Sequence, residues 1–247
     1  MSKSIIIFGF HAIQAQLDSN PECLLKVFTL DNRNDKRLNT LTTQLNRLDI
    51  NTQQSNKQQL DKLTKNQTHQ GIAAEILLPT LPNLDGLIEY IKKLNNNSLI
   101  LILDSIQDPR NLGACLRSAN AAGVDCVVIN KDGSAPINSL VHKTSAGALN
   151  KLKIFSVTNL SRTIKALKEC GIWVIGLDGA TDQSLYQIDL IAPTAIIMGA
   201  EGSGLRSLTK KSCDQLAMIP MQGNVESLNV SVATGIALFE ASRQRHL

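Results

Sequence analysis

LAMIPMQGNVESLNVSVATGIALFEASRQR, residues 216–245, passes from strand to polar loop to helix. Leu216 to Met221 is a short apolar run of strand type. A loop of Gln222, Gly223 and Asn224 follows, then the polar cluster Glu226-Ser227-Leu228-Asn229. From Val230 the period lengthens to that of a helix, with Val232, Ile236 and Phe239 on one face. Thr234, Gly235, Ala237, Ala241 and Ser242 line a second, bald face. A glycine inside a helix costs about 1 kcal/mol relative to alanine, so it marks close approach by something. Two readings stay open on this stretch alone: an ordinary strand–loop–helix unit closing an α/β domain, or a small-ligand site beside a tight helix contact.

The chain upstream sets the class. From Ser98, strand and helix patterns alternate, with strands expected at 99–103, 125–129, 152–157, 172–177, 194–198 and 216–220. Several are unbroken apolar runs such as LILIL, as in strands buried on both faces. The alternation predicts an α/β domain with a mostly parallel sheet. Ligands of such sheets bind beyond the carboxyl ends of the strands. Three of those ends carry unusual sequence. After Leu103 comes DSIQDPRNLG, running into ACLRSANAAG. Helix signals explain much of it: Asp108 as N-cap, Pro109 at the first position, Gly123 as terminator. Arg117 is left over, off the apolar stripe of Leu112, Cys115, Leu116 and Ala119. A solvated side chain is the commoner fate of such an arginine. After Met198, Gly199-Ala200-Glu201-Gly202-Ser203-Gly204 places three glycines in six residues, which calls for positive φ or close backbone approach to a ligand. The spacing is neither the dinucleotide fingerprint nor a Walker loop, and Glu201 could merely complement the next helix's N-terminus. The third end is the 216–245 stretch itself. Gly176 to Ala180 is a weaker fourth.

Residues 5–77 read as a small α/β unit: strands at 5–10, 24–30 and 71–77, a helical turn or two at 12–17 and an amphipathic helix at 36–48. The intervening NTQQSNKQQLDKLTKNQTHQ is expected to be a solvated surface with a short helix, less often an RNA-facing one. His11 and His69 have no carboxylate or cysteine at ligand spacing and read as surface or turn residues. Pro79 and Pro82 then break the pattern, and a helix over 84–94 ends in Asn95-Asn96-Asn97. The boundaries expected are 1–78, a linker with a short helix over 79–97, and 98–247.

The whole chain is 247 residues, 43% hydrophobic and 19% charged, with a formal net charge of +4, the balance of a globular protein. That charge is compatible with a nucleic-acid partner without requiring one. No apolar run approaches the ~20 residues that span a bilayer, and the apolar run within MSKSIIIFGFHA is too short for a signal core. Five scattered cysteines argue against a disulfide framework or a zinc site and for a reducing, cytoplasmic setting. Aromatic residues make up only 3%, which gives no support to base stacking on aromatic platforms.

Taken together, DPRNLGACLRSANAAG (108–123), IIMGAEGSGL (196–205) and IPMQGNVESLNVSVATGIALFEA (219–241) resemble, in order, spacing and terminal position, the three motifs of the SpoU (TrmH) branch of the SPOUT methyltransferases. The GFHAI start and HQGIAAEI end of the first unit are similar to the substrate-binding domain of that branch's 23S rRNA guanosine-2′-O-methyltransferases. The resemblance implies a small N-terminal RNA-binding α/β domain, a C-terminal SPOUT domain ending in a trefoil knot, and a homodimer. It implies methyl transfer from S-adenosylmethionine, without a metal, to a guanosine ribose of 23S rRNA in the peptidyl-transferase region. The alternatives are a tRNA ribose 2′-O-methyltransferase and a non-catalytic rRNA-binding assembly factor. By motif position, Gly199, Ile219 and Leu228, joined by Leu177 and Gly179, would hold the cofactor. Arg117 would act at the 2′-oxygen from the neighbouring subunit, within a polar network of Asn111, Glu201, Ser227 and Asn229. An arginine base is chemically awkward, since the guanidinium stays protonated; binding phosphate and stabilising developing negative charge is the rival role. The bald helix face around Gly235 and Ala237 is compatible with packing at the dimer interface.

Overall fold

The structure, a computed structural model, describes residues 4–31, 35–94 and 97–246. Along the chain run β1 (Ser4–Phe8), α1 (Phe10–Ser19), β2 (Leu24–Leu30), α2 (Lys36–Arg47), β3 (Thr52–Ser55), α3 (Lys57–Leu63), β4 (Ile72–Leu77) and α4 (Leu84–Ile91). They are followed by β5 (Leu99–Leu103), α5 (Pro109–Ala121), β6 (Cys126–Asn130), α6 (Ser139–Thr144), β7 (Lys153–Val157), α7 (Leu160–Glu169), β8 (Trp173–Leu177), β9 (Thr194–Met198), α8 (Ser207–Ser212), β10 (Gln215–Ala217) and α9 (Val230–Arg245). Contacts divide the chain into two units, Met1–Thr80 with Ile137–Lys151, and Leu81–Pro136 with Leu152–Leu247. The boundaries read from the sequence leave 137–151 in the second domain, whereas the contacts of this segment lie with the first. Asn95 and Asn96 of the expected linker lie outside the described residues.

The first unit is a four-stranded sheet in the order β1-β4-β2-β3, antiparallel except where β3 runs parallel to β2. One core gathers Ile7, Val27, Ile72 and Ile76 from the strands with Phe10, Ile13 and Leu17 of α1 and Leu38, Leu41 and Leu45 of α2. A smaller cluster sets Leu60 of α3 against Phe8 and Ala73, with Phe28 and Leu30 at its margin. The stretch read as solvated surface with a short helix does hold that helix, α3, and is mostly exposed, but it also contains the strand β3, TQQS, which the sequence reading lacks. An edge strand that buries only Ser55 needs no apolar alternation, so it carries no periodic signal. His69 keeps the turn role read from the sequence but is not at the surface. It is buried, its Nε2 lies 3.1 Å from Asp61 Oδ1, and its Nδ1 accepts the Gly71 amide, so it pins a turn.

The second unit is a six-stranded, wholly parallel sheet in the order β10-β8-β9-β5-β6-β7. Every residue of β5, β6 and β9 is buried, which accounts for the unbroken apolar runs. One face packs Leu87 and Ile91 of α4 and Leu160, Ile164 and Leu167 of α7 against the strands. β10 is shorter than expected. Its chain leaves the sheet after Ala217, and Met218 instead bridges Ser184. On α9 the bald face is not left free: Thr234, Ala237 and Ala241 are buried and the helix packs against α5 of the same chain. A Cβ added to Gly235 would lie 3.7 Å from Ser118 Oγ, ordinary contact, so nothing in the chain requires glycine there. The side left to solvent carries Val232, 51% exposed, and Phe239, 52% exposed.

Candidate active site

A cleft of about 750 Å³ opens at the carboxyl ends of β8, β9 and β10. Its walls are three connecting segments: 177–180 after β8, 198–204 after β9, and the 217–228 segment that leads to α9. Leu177, Gly179, Gly199, Ile219 and Leu228 all line it, as does Ser227. Three segments far apart in sequence meet here because the parallel sheet places all its strand ends on one side.

The glycine loop closes on itself. Ala200 and Gly204 exchange backbone hydrogen bonds, Ala200 N to Gly204 O at 3.1 Å and Gly204 N to Ala200 O at 2.9 Å. A Cβ on Gly199 would stand 2.2 Å from the Gly204 carbonyl carbon, so no other residue fits without opening the loop. Gly202 and Gly204 adopt φ of +79° and +63°, where L side chains are strained. Of the two demands expected from the sequence, positive φ is met at Gly202 and Gly204. The close approach at Gly199 comes from its own loop.

Asp108 caps α5, accepting the Arg110 amide at 2.7 Å, and this presents Asn111 on the first turn. Asn229 caps α9 by accepting the Ser231 amide at 2.9 Å. The two amides and a carboxylate then link: Asn229 Nδ2 donates to Asn111 Oδ1 at 3.1 Å, and Asn111 Nδ2 donates to Glu201 Oε2 at 2.8 Å. The network thus ties two helix N-termini to the glycine loop. Arg117 is exposed on α5 and does not line the cleft of its own chain.

Two charged pairs escaped the sequence reading. Asp178, inside the weaker fourth strand end, lines the cleft and pairs with Lys210 of α8. Burial pushes its carboxyl up, but the Lys210 ammonium and the Ala180 amide more than offset this and leave it below the usual carboxylate range. Asp104, fully buried at the end of β5, accepts from Arg206 Nε at 2.7 Å and Thr209 Oγ1 at 2.7 Å, anchoring the far end of the glycine loop. A carboxylate directly after an apolar strand was the one available signal for each. Among the lining residues Lys210 is the single cation, against Asp178, Glu201 and Glu226. A cleft with net negative walls, close backbone groups and apolar patches at Met198, Ile219 and Leu228 suits an organic cation with a flat heterocycle. Among the described residues no cluster of His, Cys, Asp and Glu could hold a metal, and no helix is long and apolar enough to cross a membrane.

Residues 98–239 match the model of the SpoU rRNA Methylase family, and residues 6–81 match that of RNA 2'-O ribose methyltransferase substrate binding. The chain is 47% identical over 240 residues to the 23S rRNA (guanosine-2'-O-)-methyltransferase RlmB of Haemophilus ducreyi, covering 97% of each chain. Among solved structures it is similar to an RNA 2'-O ribose methyltransferase, with TM-score 0.83 and 27% identity over 100% of this chain and 90% of the other. It also shares its fold with the SpoU methyltransferase AviRb of Streptomyces viridochromogenes, crystallised with AdoMet: TM-score 0.81, 22% identity, 98% and 90% covered.

Proposed function

The chain belongs to the SpoU rRNA Methylase family, and on that premise we propose that it methylates the ribose 2′-hydroxyl of a guanosine in 23S rRNA, within the peptidyl-transferase region, with S-adenosylmethionine as donor. The observation that carries the reading is the hydrogen-bonded chain Asn229–Asn111–Glu201, which joins the three motif segments at the mouth of one cleft.

Leu177, Gly179, Gly199, Ile219 and Leu228 hold the cofactor, in the cleft whose volume and negative lining suit a sulfonium zwitterion. Bound there, it supplies an electrophilic methyl group. The remaining task falls to side chains: setting the 2′-oxygen behind that carbon, chiefly an orientation effect, and easing loss of its proton. Asn111 and Asn229 fix the mouth of the cleft, Glu201 holds the glycine loop to them, and Ser227 offers a hydroxyl at the rim. A guanidinium offers donors and no acceptor, so the role of Arg117 is to bind phosphate and stabilise negative charge growing on the 2′-oxygen.

Because Arg117 does not line the cleft of its own chain, it serves the cleft of a second copy. Supporting such a homodimer, α9 leaves Val232 and Phe239, seven residues apart on one face, open to solvent. We read the chain end as threaded into a trefoil knot; in support, Met218 exchanges backbone bonds with the 183–185 segment. Residues 1–78 grip rRNA, 79–97 link, and 98–247 catalyse, in the cytoplasm where rRNA is made. The test is Arg117→Ala, which is expected to abolish methyl transfer to 23S rRNA while leaving the cofactor dissociation constant nearly unchanged. Mixing it with a variant defective in its own cleft should restore activity that neither has alone. Loss of cofactor binding by Arg117→Ala, or no restoration on mixing, overturns the assignment.

A further inference from the structure

The stretch NTQQSNKQQLDKLTKNQTHQ has no part in the cleft, yet it builds a second concavity. Phe28 of β2, Gln53 and Ser55 of β3, and Gln59, Lys62 and Leu63 of α3 or its end line a groove of about 520 Å³ within the first unit, inside the roughly 300–1,000 Å³ range of small-ligand sites. The groove lies between α3 and the edge of the sheet where Gln53 and Ser55 of the short polar strand β3 pair beside β2. We propose that this groove takes one unstacked base of the RNA substrate, with the flanking phosphate on Lys62; the proposal rests on the methyltransferase reading and assigns residues to its substrate grip.

The chemistry of the lining selects this occupant. Phe28 supplies a flat apolar ring, and Lys26, two residues along the same face of β2, holds its ammonium 5.4 Å from the ring centroid. A base entering against that ring therefore meets a cation held over it, and stacks by displacing the ammonium toward its phosphate. Gln53 and Gln59 bring amide groups able to read the donor and acceptor edge of an unpaired base. Gln59 Oε1 is already occupied, accepting the Asn56 amide at 2.9 Å in a capping box, which fixes the side chain and leaves its N–H groups to donate. Among the described residues no acidic side chain lines the groove. The acid nearest in sequence, Asp61, is engaged with His69. Between residues 51 and 70 three lysines face that single aspartate, the sign a phosphate backbone requires. The aromatic residue here qualifies the composition argument: one ring in a basic groove is enough for a single base, however few aromatics the chain has.

The test uses the full-length protein. Phe28→Leu keeps apolar bulk against Leu60 and Phe8 but removes the ring; combined with Gln53→Ala it should raise the KM and dissociation constant for protein-free 23S rRNA transcript by about tenfold, the scale of one stacked base. Lys62→Ala should reduce the salt slope of that binding by about one. Cofactor affinity and melting temperature should stay as in the parent. If the parent methylates and the folded double variant keeps the parental KM, the groove proposal is overturned and the methyltransferase reading stands. If the double variant loses activity only on ribosomal particles and not on protein-free RNA, the groove takes a protein and the proposal is equally overturned. A parent that neither binds nor methylates 23S rRNA overturns the reading beneath it.

Discussion

Substituting Gly199 by alanine puts the loop argument to a quantitative test. The new Cβ would stand 2.2 Å from the Gly204 carbonyl carbon and 2.4 Å from both the Gly204 oxygen and the Leu205 nitrogen. All three are backbone atoms, so no rotamer change relieves the clash. Restoring van der Waals contact requires the loop to open by more than about 1 Å. That movement breaks the reciprocal Ala200–Gly204 hydrogen bonds, each worth about 0.5–1.5 kcal/mol net. The closed loop then becomes about 1–3 kcal/mol less accessible, and cofactor affinity should fall roughly 5- to 150-fold. Calorimetric titration of S-adenosylmethionine into the purified variant measures this, with circular dichroism to confirm that the sheet survives. Gly223→Ala is the control, since a Cβ there meets nothing within 4 Å and no positive φ is needed; its affinity should stay within about twofold of the parent, a shift under 0.5 kcal/mol. A folded Gly199→Ala protein that binds the cofactor as tightly as the control would refute the view that this loop shapes the cleft.

Three further expectations concern the surroundings. Asn111→Ala cuts both links of the Asn229–Asn111–Glu201 chain; single-turnover methylation should slow by about tenfold while the melting temperature moves little, these groups being at least partly exposed. Gly235→Ala adds a Cβ in ordinary contact with Ser118 and should stabilise the protein by about 1 kcal/mol in chemical denaturation; a loss instead would mean that something outside the chain fills that space. Burial pushes the imidazole of His142 down to about 4, with its Nε2 unpartnered. Because the folded value lies below the unfolded one, the unfolded state binds more protons as pH falls from ~6.5. Stability should therefore decline by up to about 3 kcal/mol between pH ~6.5 and about 4, a decline that His142→Leu should remove in urea titrations.

Periodicity located all six strands of the parallel sheet, most plainly β5, β6 and β9, where burial on both faces leaves a simple apolar record. It missed β3, whose TQQS is held by pairing with β2 and not by a buried face. Turn chemistry made the helix ends legible: Asp108 and Asn229 were visible as polar residues before helical patterns, and both cap. The direction of α9 was harder. Large apolar residues at 232 and 239 suggest the buried face, yet Thr234, Ala237, Leu238 and Ala241 go inward, and the helix packs against α5. Pairings such as Asp178 with Lys210 and Asp104 with Arg206 join residues whose proximity depends on strand order, which no local pattern encodes.

The strand order also fixes when the enzyme can come into being. Synthesis delivers the chain from its amino end, and domains generally fold as units as they emerge. β5, β6 and β7 can assemble first, but the cleft needs segments from 177 to 228 and the cap at Asn229. Every segment up to residue 229 must therefore be made before the cleft can close. A chain made only as far as β9 therefore has a sheet but no closed cleft, and truncation before Asn229 should abolish methylation.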